Sequence, residues 1–423
     1  MNRIDLGYGR TLIPFEYDEA RFEVLSPQQT TEHPLSDLEI GTALDSPIDS
    51  PPLEDLVNSG DSVLIVVSDA TRATASAQIV NLLVRRLIQF GISAGDIAII
   101  VATGIHRPVA HAEKLSLLTP FIVQRIRTLD HDSNDPNPLV LGELDCGTPI
   151  EVNRHLNEFS RVILTGGIGF HYFAGFTGGR KSICPGLASA KTIKATHMLA
   201  LDFEKGGRRE GVGTGKLEGN AVHEACDNIA QLINPSFSVN TVVDDHGRAV
   251  GVYAGHWRTA HQLGCAEYLK NHSMMIREQR SIVVASCGGS PWDINLIQAH
   301  KALDMAAQAC QPGGIIILLA ECLDGWGRND FLKWFELSSS SALETHLREH
   351  YEVNGQTAWA LMTKAEKYRI ILVSSLPEDD VRNLRITPAS SLAEAASEID
   401  KNADGYILPR GAAVLPVVRQ DLI

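Results

Sequence analysis

The sequence contains few cysteines, and no two of them form a C-x-x-C pair. Seven cysteines are scattered over 423 residues. An odd number of isolated cysteines argues against a disulfide framework and against a structural zinc site. The chain also lacks an apolar run of about 18 residues, which argues against a membrane-spanning helix. Its first residues, MNRIDLGYGR, lack the apolar core of a secretory signal. We therefore expect a cytoplasmic protein with no membrane partner.

Positive charge is also scarce. Lysine and arginine number 37 against 51 aspartates and glutamates, a net charge of −14. Nucleic-acid binding requires clustered basic residues, so we expect no nucleic-acid partner, although a local basic pocket for a small anion is compatible with this balance. The hydrophobic fraction of 44% is ordinary for a globular protein. At 423 residues, the chain is longer than a single hydrophobic core usually supports, which predicts two domains.

Apolar runs typical of buried strands alternate with segments of helical spacing. The runs SVLIVVSD (62–69), DIAIIVATG (96–104) and RVILTGG (161–167) predict strands, and a second series begins at SIVVASCGG (281–289). Such alternation is typical of parallel sheets covered by helices. We predict an α/β fold with two α/β domains, residues 1–272 and 273–423, largely parallel sheets and an interdomain active-site cleft.

Polar side chains follow the predicted strands, where α/β sheets bind ligands. Those in the first domain are Asp69, Thr71 and Arg72 after the first strand, His106 after the second and His171 after the third. Two histidines that face each other could exchange protons on two faces of one carbon, as a racemase requires. They could equally be two unrelated loop histidines.

Two kinds of side chain could bind a substrate carboxylate. Arg72 in the first domain and Lys301 in the second are the candidate anchors, and Gln298 shares a helix face with Lys301. Taken singly, each is better explained as a solvated surface residue.

The stretch AGFTGGRKS (174–182) resembles a phosphate-binding loop without matching it. Arg180 stands before Lys181, the pair Gly178 and Gly179 comes too early, and no clear strand ending in aspartate completes a triphosphate site. The turn would suit a single phosphate, or it is an ordinary tight turn. His197 ends the segment KTIKATH and is either a structural histidine or a metal ligand.

Several stretches together resemble the lactate racemase family, whose enzymes use a nickel-pincer nucleotide. They are SDATR (68–72), TGIHRP (103–108), GFHYFAGFTGGRKSICPGLASAKTIKATH (169–197), EGNAVHE (218–224) and QAHKALDMA (298–306). The resemblance spans both predicted domains. The long segment 169–197 is specific, whereas the short stretches would be weak alone.

The resemblance implies a cofactor and a set of roles. The cofactor is pyridinium-3,5-bisthiocarboxylic acid mononucleotide nickel, attached to the lysine that matches Lys181, with the histidine that matches His197 as a nickel ligand. Soft sulfur and imidazole suit nickel in square-planar geometry. The implied roles are cofactor binding by Asp69, Thr71, Gly178, Gly179 and Arg180, proton exchange by His106 and His171, and substrate binding by Arg72, Gln298 and Lys301.

The implied reaction inverts C2 of a 2-hydroxy acid by reversible hydride transfer, with cofactor-biosynthesis enzymes as partners. The first domain would tether the cofactor and ligate nickel, and the second would contribute to substrate binding. Ile297 stands where a lactate-specific enzyme is expected to have an aromatic residue, which leaves lactate and other 2-hydroxy acids open. Two alternatives remain. One is an NAD-type dehydrogenase, although the sequence lacks the G-x-G-x-x-G fingerprint of that class. The other is a nucleotide-binding protein without activity.

Overall fold

The computed structural model describes residues 2–27, 33–400 and 402–419. The strands, β1 to β20 in chain order, are Asn2–Tyr8, Thr11–Tyr17, Phe22–Val24, Val63–Ser68, Ile97–Ala102, Arg127–Asp130, Leu139–Glu143, Pro149–Val152, Arg161–Gly167, Phe170–His171, Gly175–Phe176, Phe237–Val243, Ala249–Gly255, Ser273–Ile276, Arg280–Ser286, Cys310–Leu319, Arg369–Val373, Thr387–Ala389, Gly405–Leu408 and Leu415–Val418.

The α-helices are named α1 to α13 in the same way. They are Asp37–Asp45, Leu53–Leu56, Ser76–Gln89, His111–Arg125, His155–Glu158, Ala190–Met198, Ala221–Ile233, Thr259–His272, Leu296–Ala309, Ser340–Glu349, Val353–Lys367, Glu378–Asn383 and Leu392–Ser397. A short 3-10 helix, Gly179–Ser182, lies in the glycine-rich segment. Within the described residues, no helix combines the length and the apolar character needed to cross a membrane.

The chain forms two compact units. The N-terminal unit comprises residues 30–200 and 209–268, and the C-terminal unit comprises residues 1–29, 201–208 and 269–423. Their sheets are largely parallel, so the predicted α/β class is confirmed.

The N-terminal unit is built on a sheet with strand order β13-β12-β9-β4-β5-β6. Strands β12, β9, β4, β5 and β6 are parallel, and β13 returns antiparallel to β12. Strand β4 is buried along five of its six residues because the sheet is covered on both faces. Helix α3 packs Ile79, Leu83 and Leu87 into this core. Each such burial contributes about 1.5–3 kcal/mol.

The C-terminal unit contains a parallel sheet with strand order β18-β17-β16-β15-β19-β3. Its core is formed by aliphatic side chains of the central strands, such as Val284, Ile317 and Ile407, which are inaccessible to solvent. Helix α9, which carries Gln298 and Lys301, begins after Asn295, whose side chain accepts a hydrogen bond from the Gln298 backbone N–H. This cap fixes where the helix starts and therefore which residues occupy its first turns.

The predicted domain limits of 1–272 and 273–423 differ from these units. The first residues of the chain group with the C-terminal unit because β3 pairs in parallel with β19, with Phe22 opposite Gly405. Residues 201–208 also group with that unit, and its main segment starts at 269 rather than 273. The difference arises because β3, near the start of the chain, pairs with β19, near its end. A single boundary along the sequence cannot describe a unit that contains both.

Candidate functional site

Asp69 follows β4 and is almost fully buried, with 5% of its surface exposed. Its Oδ1 atom accepts hydrogen bonds from the Thr71 backbone N–H at 3.0 Å and the Thr71 hydroxyl at 2.6 Å. Burial raises the pKa of the carboxyl, but hydrogen bonds from His106 and Thr71 and the charge of Arg72 outweigh burial and hold the pKa below its usual value. Asp69 is therefore a carboxylate in the folded protein.

His106 lies in the turn after β5, where its backbone N–H donates to the Thr103 carbonyl at 3.0 Å. Its Nδ1 atom lies 2.6 Å from Oδ2 of Asp69, while about half of the side chain remains exposed. Adjacent strands of the parallel sheet, β4 and β5, bring these residues together at their carboxyl ends. The contact follows the rule that predicted a site at this edge of the sheet.

His171 is the last residue of β10, which pairs with β11. Its Nδ1 atom accepts a hydrogen bond from the Ala174 backbone N–H at 3.2 Å. The imidazole stacks on Tyr172 with an interplanar angle of 9° and meets Phe173 edge-on with centroids 4.5 Å apart. These contacts fix the orientation of the ring.

The glycine turn is held by distant residues of the N-terminal unit. The Gly179 N–H donates to the Asn240 side chain at 2.8 Å, and the Lys181 N–H donates to the Gly178 carbonyl at 3.1 Å. Arg180 is buried and donates to the Ala174 carbonyl at 2.8 Å. The described contacts thus use these groups to shape the loop, and phosphate binding by Gly178, Gly179 and Arg180 stays a prediction.

Lys181 follows this turn within the 3-10 helix Gly179–Ser182. Burial of the amine, together with the positive charges of Arg72 and Arg180, holds the pKa of Lys181 well below its usual value. A lysine with a lowered pKa has a larger fraction of neutral, nucleophilic amine at neutral pH. The site therefore suits a covalent reaction at Lys181 better than a permanent positive charge.

His197 lies in the last turn of α6, and that helix is capped by Ser189, whose side chain accepts from the Thr192 N–H. The imidazole is 6% exposed. Burial and the charge of Lys181 lower the pKa of His197 to about 3, so the ring is neutral at physiological pH. Its Nδ1 atom is buried and has no hydrogen-bond partner among the described residues. A neutral imidazole is the form that binds metals.

Phe173 connects the two residues on which the predicted cofactor site depends. The Lys181 amine lies 5.7 Å from the centre of its ring, and the His197 ring packs edge-on against it with centroids 5.0 Å apart. Sequence reasoning did not single out Phe173, and its only signal was its place within the specific segment 169–197. The structure therefore brings Lys181 and His197 to one aromatic side chain.

Two of the three predicted substrate residues, Gln298 and Lys301, lie in the C-terminal unit. On α9, the Lys301 amine donates to Oε1 of Gln298 at 2.6 Å, which confirms that the two share a helix face. Arg72 is in the N-terminal unit, where its backbone N–H donates to the Asp69 carbonyl at 3.1 Å. The roles of all three in substrate binding stay predictions.

Comparison with known proteins finds matches in both the N-terminal and the C-terminal parts of the chain. Residues 8–207 match the family model of the lactate racemase N-terminal domain, and residues 276–415 match that of the C-terminal domain. The lactate racemase of Thermoanaerobacterium thermosaccharolyticum is 30% identical, with 98% of this chain and 99% of the relative covered. That of Lactiplantibacillus plantarum is 34% identical, with 98% and 100% covered.

Solved structures also resemble this chain. The lactate racemase apoprotein from T. thermosaccharolyticum superimposes with a TM-score of 0.90 at 29% identity, covering 98% of this chain and 100% of that one. A Thermotoga maritima protein at 20% identity shares the fold alone, with a TM-score of 0.68 over 91% and 99% of the two chains.

The α/β units and these matches define an isomerase. The chain belongs to the lactate racemase family. A racemase is thereby favoured over the dehydrogenase and the inactive binding protein that the sequence had left open.

Proposed function

We propose that this protein inverts C2 of a 2-hydroxy acid, lactate or a close analogue, by reversible hydride transfer. The observation that carries the proposal is the common packing of Lys181 and His197 on Phe173. The two curated relatives carry the name lactate racemase. Ile297 is the reason to include other 2-hydroxy acids, because a small change in a pocket alters discrimination by only about 1–3 kcal/mol.

The residues of the N-terminal unit fit a tethered nickel-pincer nucleotide. Lys181 has the lowered pKa that attachment through its amine requires, and His197 is neutral with a buried nitrogen that lacks a hydrogen-bond partner in the described part of the chain. The described residues contain no group of three or more potential protein ligands for a metal ion. Nickel held at His197 would thus take its other ligands from the cofactor, which, when bound, supplies a reversible acceptor for hydride from C2.

The protein itself handles the proton of the substrate hydroxyl. His106 and His171 are the two exchange groups in this proposal, one for each enantiomer, since imidazole can accept or donate near neutral pH. The Asp69 carboxylate stabilises the imidazolium that forms when His106 accepts a proton, because the two groups lie 2.6 Å apart.

Positive and polar side chains orient the substrate. We assign the carboxylate of the 2-hydroxy acid to Arg72 and Lys301, with Gln298 as a hydrogen-bonding partner. Arginine offers two parallel N–H donors to a carboxylate, and lysine offers a point charge. Holding the carboxylate fixes which face of C2 is presented, which is the positional control that a racemase needs.

The test is to express the full chain with cofactor-biosynthesis enzymes and to measure intact mass and racemisation together. We expect an adduct that maps to Lys181, and C2 isotope exchange with one or more members of a panel of 2-hydroxy acids. Lys181→Ala should lose both adduct and activity. Lys191→Ala is the matched control, because that lysine side chain is 74% exposed.

Two results would contradict the proposal. Racemisation by protein with an unmodified Lys181 would exclude the tether. A fully loaded protein that inverts no 2-hydroxy acid in the panel would exclude the reaction.

A further inference from the structure

We propose that Asp69 is a positioning residue that holds His106 with its proton on Nδ1, whereas His171 is held in the opposite tautomer with its proton on Nε2. The two histidines then enter the reaction with different roles, although both have been assigned the same kind of chemistry. Only the catalytic consequence rests on the proposed function. The tautomers are a property of the folded chain.

The tautomer of His106 follows from the nature of its partner. A carboxylate only accepts hydrogen bonds, so a neutral imidazole whose Nδ1 lies 2.6 Å from Oδ2 of Asp69 must carry its proton on Nδ1. Asp69 is buried and is kept as a carboxylate by Thr71 and His106. Nε2 of the neutral His106 ring therefore has a lone pair and can act as a base.

The tautomer of His171 follows from the opposite kind of partner. The Ala174 backbone N–H only donates, so Nδ1 of His171, 3.2 Å away, must be the accepting nitrogen. The proton of the neutral ring is then on Nε2. The loop that provides this donor is closed by pairing of β10 with β11, in which His171 stands opposite Gly175. The backbone N–H of Ala174 thus sets this tautomer.

The difference between the two tautomers indicates which histidine can accept a proton without rearrangement. When the substrate hydroxyl gives its proton to Nε2 of His106, the O–H bond breaks, an N–H bond forms and the electron pair stays on oxygen. The resulting imidazolium keeps its Nδ1–H on Asp69. His171 could accept a proton on Nε2 only after its existing proton had moved to Nδ1, which would break the bond from Ala174. His106 is therefore ready to act as the base for its enantiomer, whereas His171 first donates a hydrogen bond to the substrate oxygen and serves the other enantiomer only after that shift.

Steady-state rates alone cannot reveal this asymmetry. Two enantiomers have equal free energies, so kcat/KM must be equal in the two directions whatever the roles of the histidines. A spectroscopic measurement of the protons themselves is needed. Nitrogen-15 NMR of histidine-labelled protein distinguishes protonated from unprotonated ring nitrogens and needs neither cofactor nor substrate. Its outcome is therefore independent of whether the protein racemises anything.

The experiment uses the full-length apoprotein at mildly alkaline pH. Signals are assigned with His106→Ala and His171→Ala. We expect His106 protonated on Nδ1 and His171 protonated on Nε2. In Asp69→Asn, the two Thr71 donors hold the amide oxygen in the place of Oδ1, so the amide NH₂ faces Nδ1 of His106. The variant should invert the tautomer of His106 and leave that of His171 unchanged.

Activity of the loaded protein adds a second readout. Asp69→Asn should lower kcat by about 10²–10⁴-fold, the usual contribution of a correctly protonated base. A wild-type His106 with a proton on Nε2, as neutral ring or imidazolium, would overturn the proposal. The same tautomer in both histidines, or a His106 signal unchanged in a folded Asp69→Asn protein, would also overturn it. The wild-type spectrum decides the question even if the variant does not fold.

Discussion

At the scale of single residues, Gly179 shows how the loop depends on the absence of a side chain. Its φ of +53° lies in the left-handed region. A Cβ atom at this position would lie 2.6 Å from Cγ of His261. His261 cannot move away without cost, because it is buried and its Nε2 atom lies 3.2 Å from Arg180 and 2.9 Å from the Thr177 carbonyl oxygen. The glycine therefore allows the backbone that carries Lys181 to pack directly on the His261 ring.

Replacing Gly179 with alanine should destabilise the protein and disturb Lys181. We expect a loss of about 1–3 kcal/mol from overpacking against His261, in addition to the cost of the left-handed backbone. Adduct formation at Lys181 should fall in parallel. Gly219→Ala is the matched control, because Gly219 has a φ of +70° and a Cβ atom added there would have no neighbouring atom within 4 Å. Urea unfolding and intact mass check both effects, and equal losses in the two variants would refute the packing argument.

At the scale of elements, helix α9 is anchored by a buried ion pair. Oδ1 of Asp304 lies 2.8 Å from the amine of Lys364 on α11 and 3.5 Å from the guanidinium of Arg208. The Lys364 amine also lies 3.3 Å from Nε2 of His300 and donates to the Ala360 carbonyl. Burial raises the pKa of Asp304, but the charges of Lys364 and Arg208 outweigh it and hold that pKa well below its usual value. The pair fixes the helix that carries Gln298 and Lys301.

Breaking this pair on one side should be costly. Asp304→Asn leaves the buried Lys364 ammonium without its carboxylate, which typically costs about 3–5 kcal/mol. The double variant Asp304→Leu with Lys364→Met removes both charges and should recover much of that loss. Glu398→Gln, in a half-exposed pair with Arg369, is the control and should change stability little. Chemical unfolding measures all three, and a double variant less stable than Asp304→Asn would contradict this account.

The main strands were predictable from sequence because parallel strands buried on both faces are continuous apolar runs. The runs at 62–69, 96–104 and 161–167 correspond to β4, β5 and β9. The assignment of residues 1–29 to the C-terminal unit was not predictable. It depends on β3, a strand of three residues that pairs with a strand almost four hundred positions away. Local sequence carries no signal for such a contact.

The candidate site was predictable to a similar extent. The carboxyl-end rule placed Asp69 and His106 near each other, and they form a hydrogen bond. The supports of the glycine turn, Asn240 and His261, come from segments far along the chain and have no motif of their own. Burial also gave Arg180 a role in the loop that its charge alone did not suggest. Residues that act through packing become visible only when the fold is known.

At the scale of the whole molecule, each unit contains a buried histidine that must lose its charge to fold. His261 in the N-terminal unit is 2% exposed and His300 in the C-terminal unit is 1% exposed. Burial and the charge of Arg180 lower the pKa of His261 to about 3. Burial and the charge of Lys364 lower the pKa of His300 to about 3. Both side chains are neutral in the folded protein and become protonated far more readily when it unfolds.

Stability should therefore decline as pH falls below the unfolded histidine pKa of about 6.5 and continue to decline toward the folded value of about 3. In this window the unfolded chain binds more protons, so protonation favours unfolding. Well below pH 6.5, each histidine should lower the free energy of unfolding by about 1.4 kcal/mol per pH unit, or about 3 kcal/mol for the two between pH 5.5 and 4.5. Urea unfolding across this range measures how the free energy of unfolding changes with pH. His300→Gln should reduce that slope by about 1.4 kcal/mol per pH unit, the contribution of one proton. His246→Gln, at an exposed turn, controls for loss of a histidine as such. A free energy of unfolding that stays constant from pH 7 to 5 would show that these histidines do not govern acid stability.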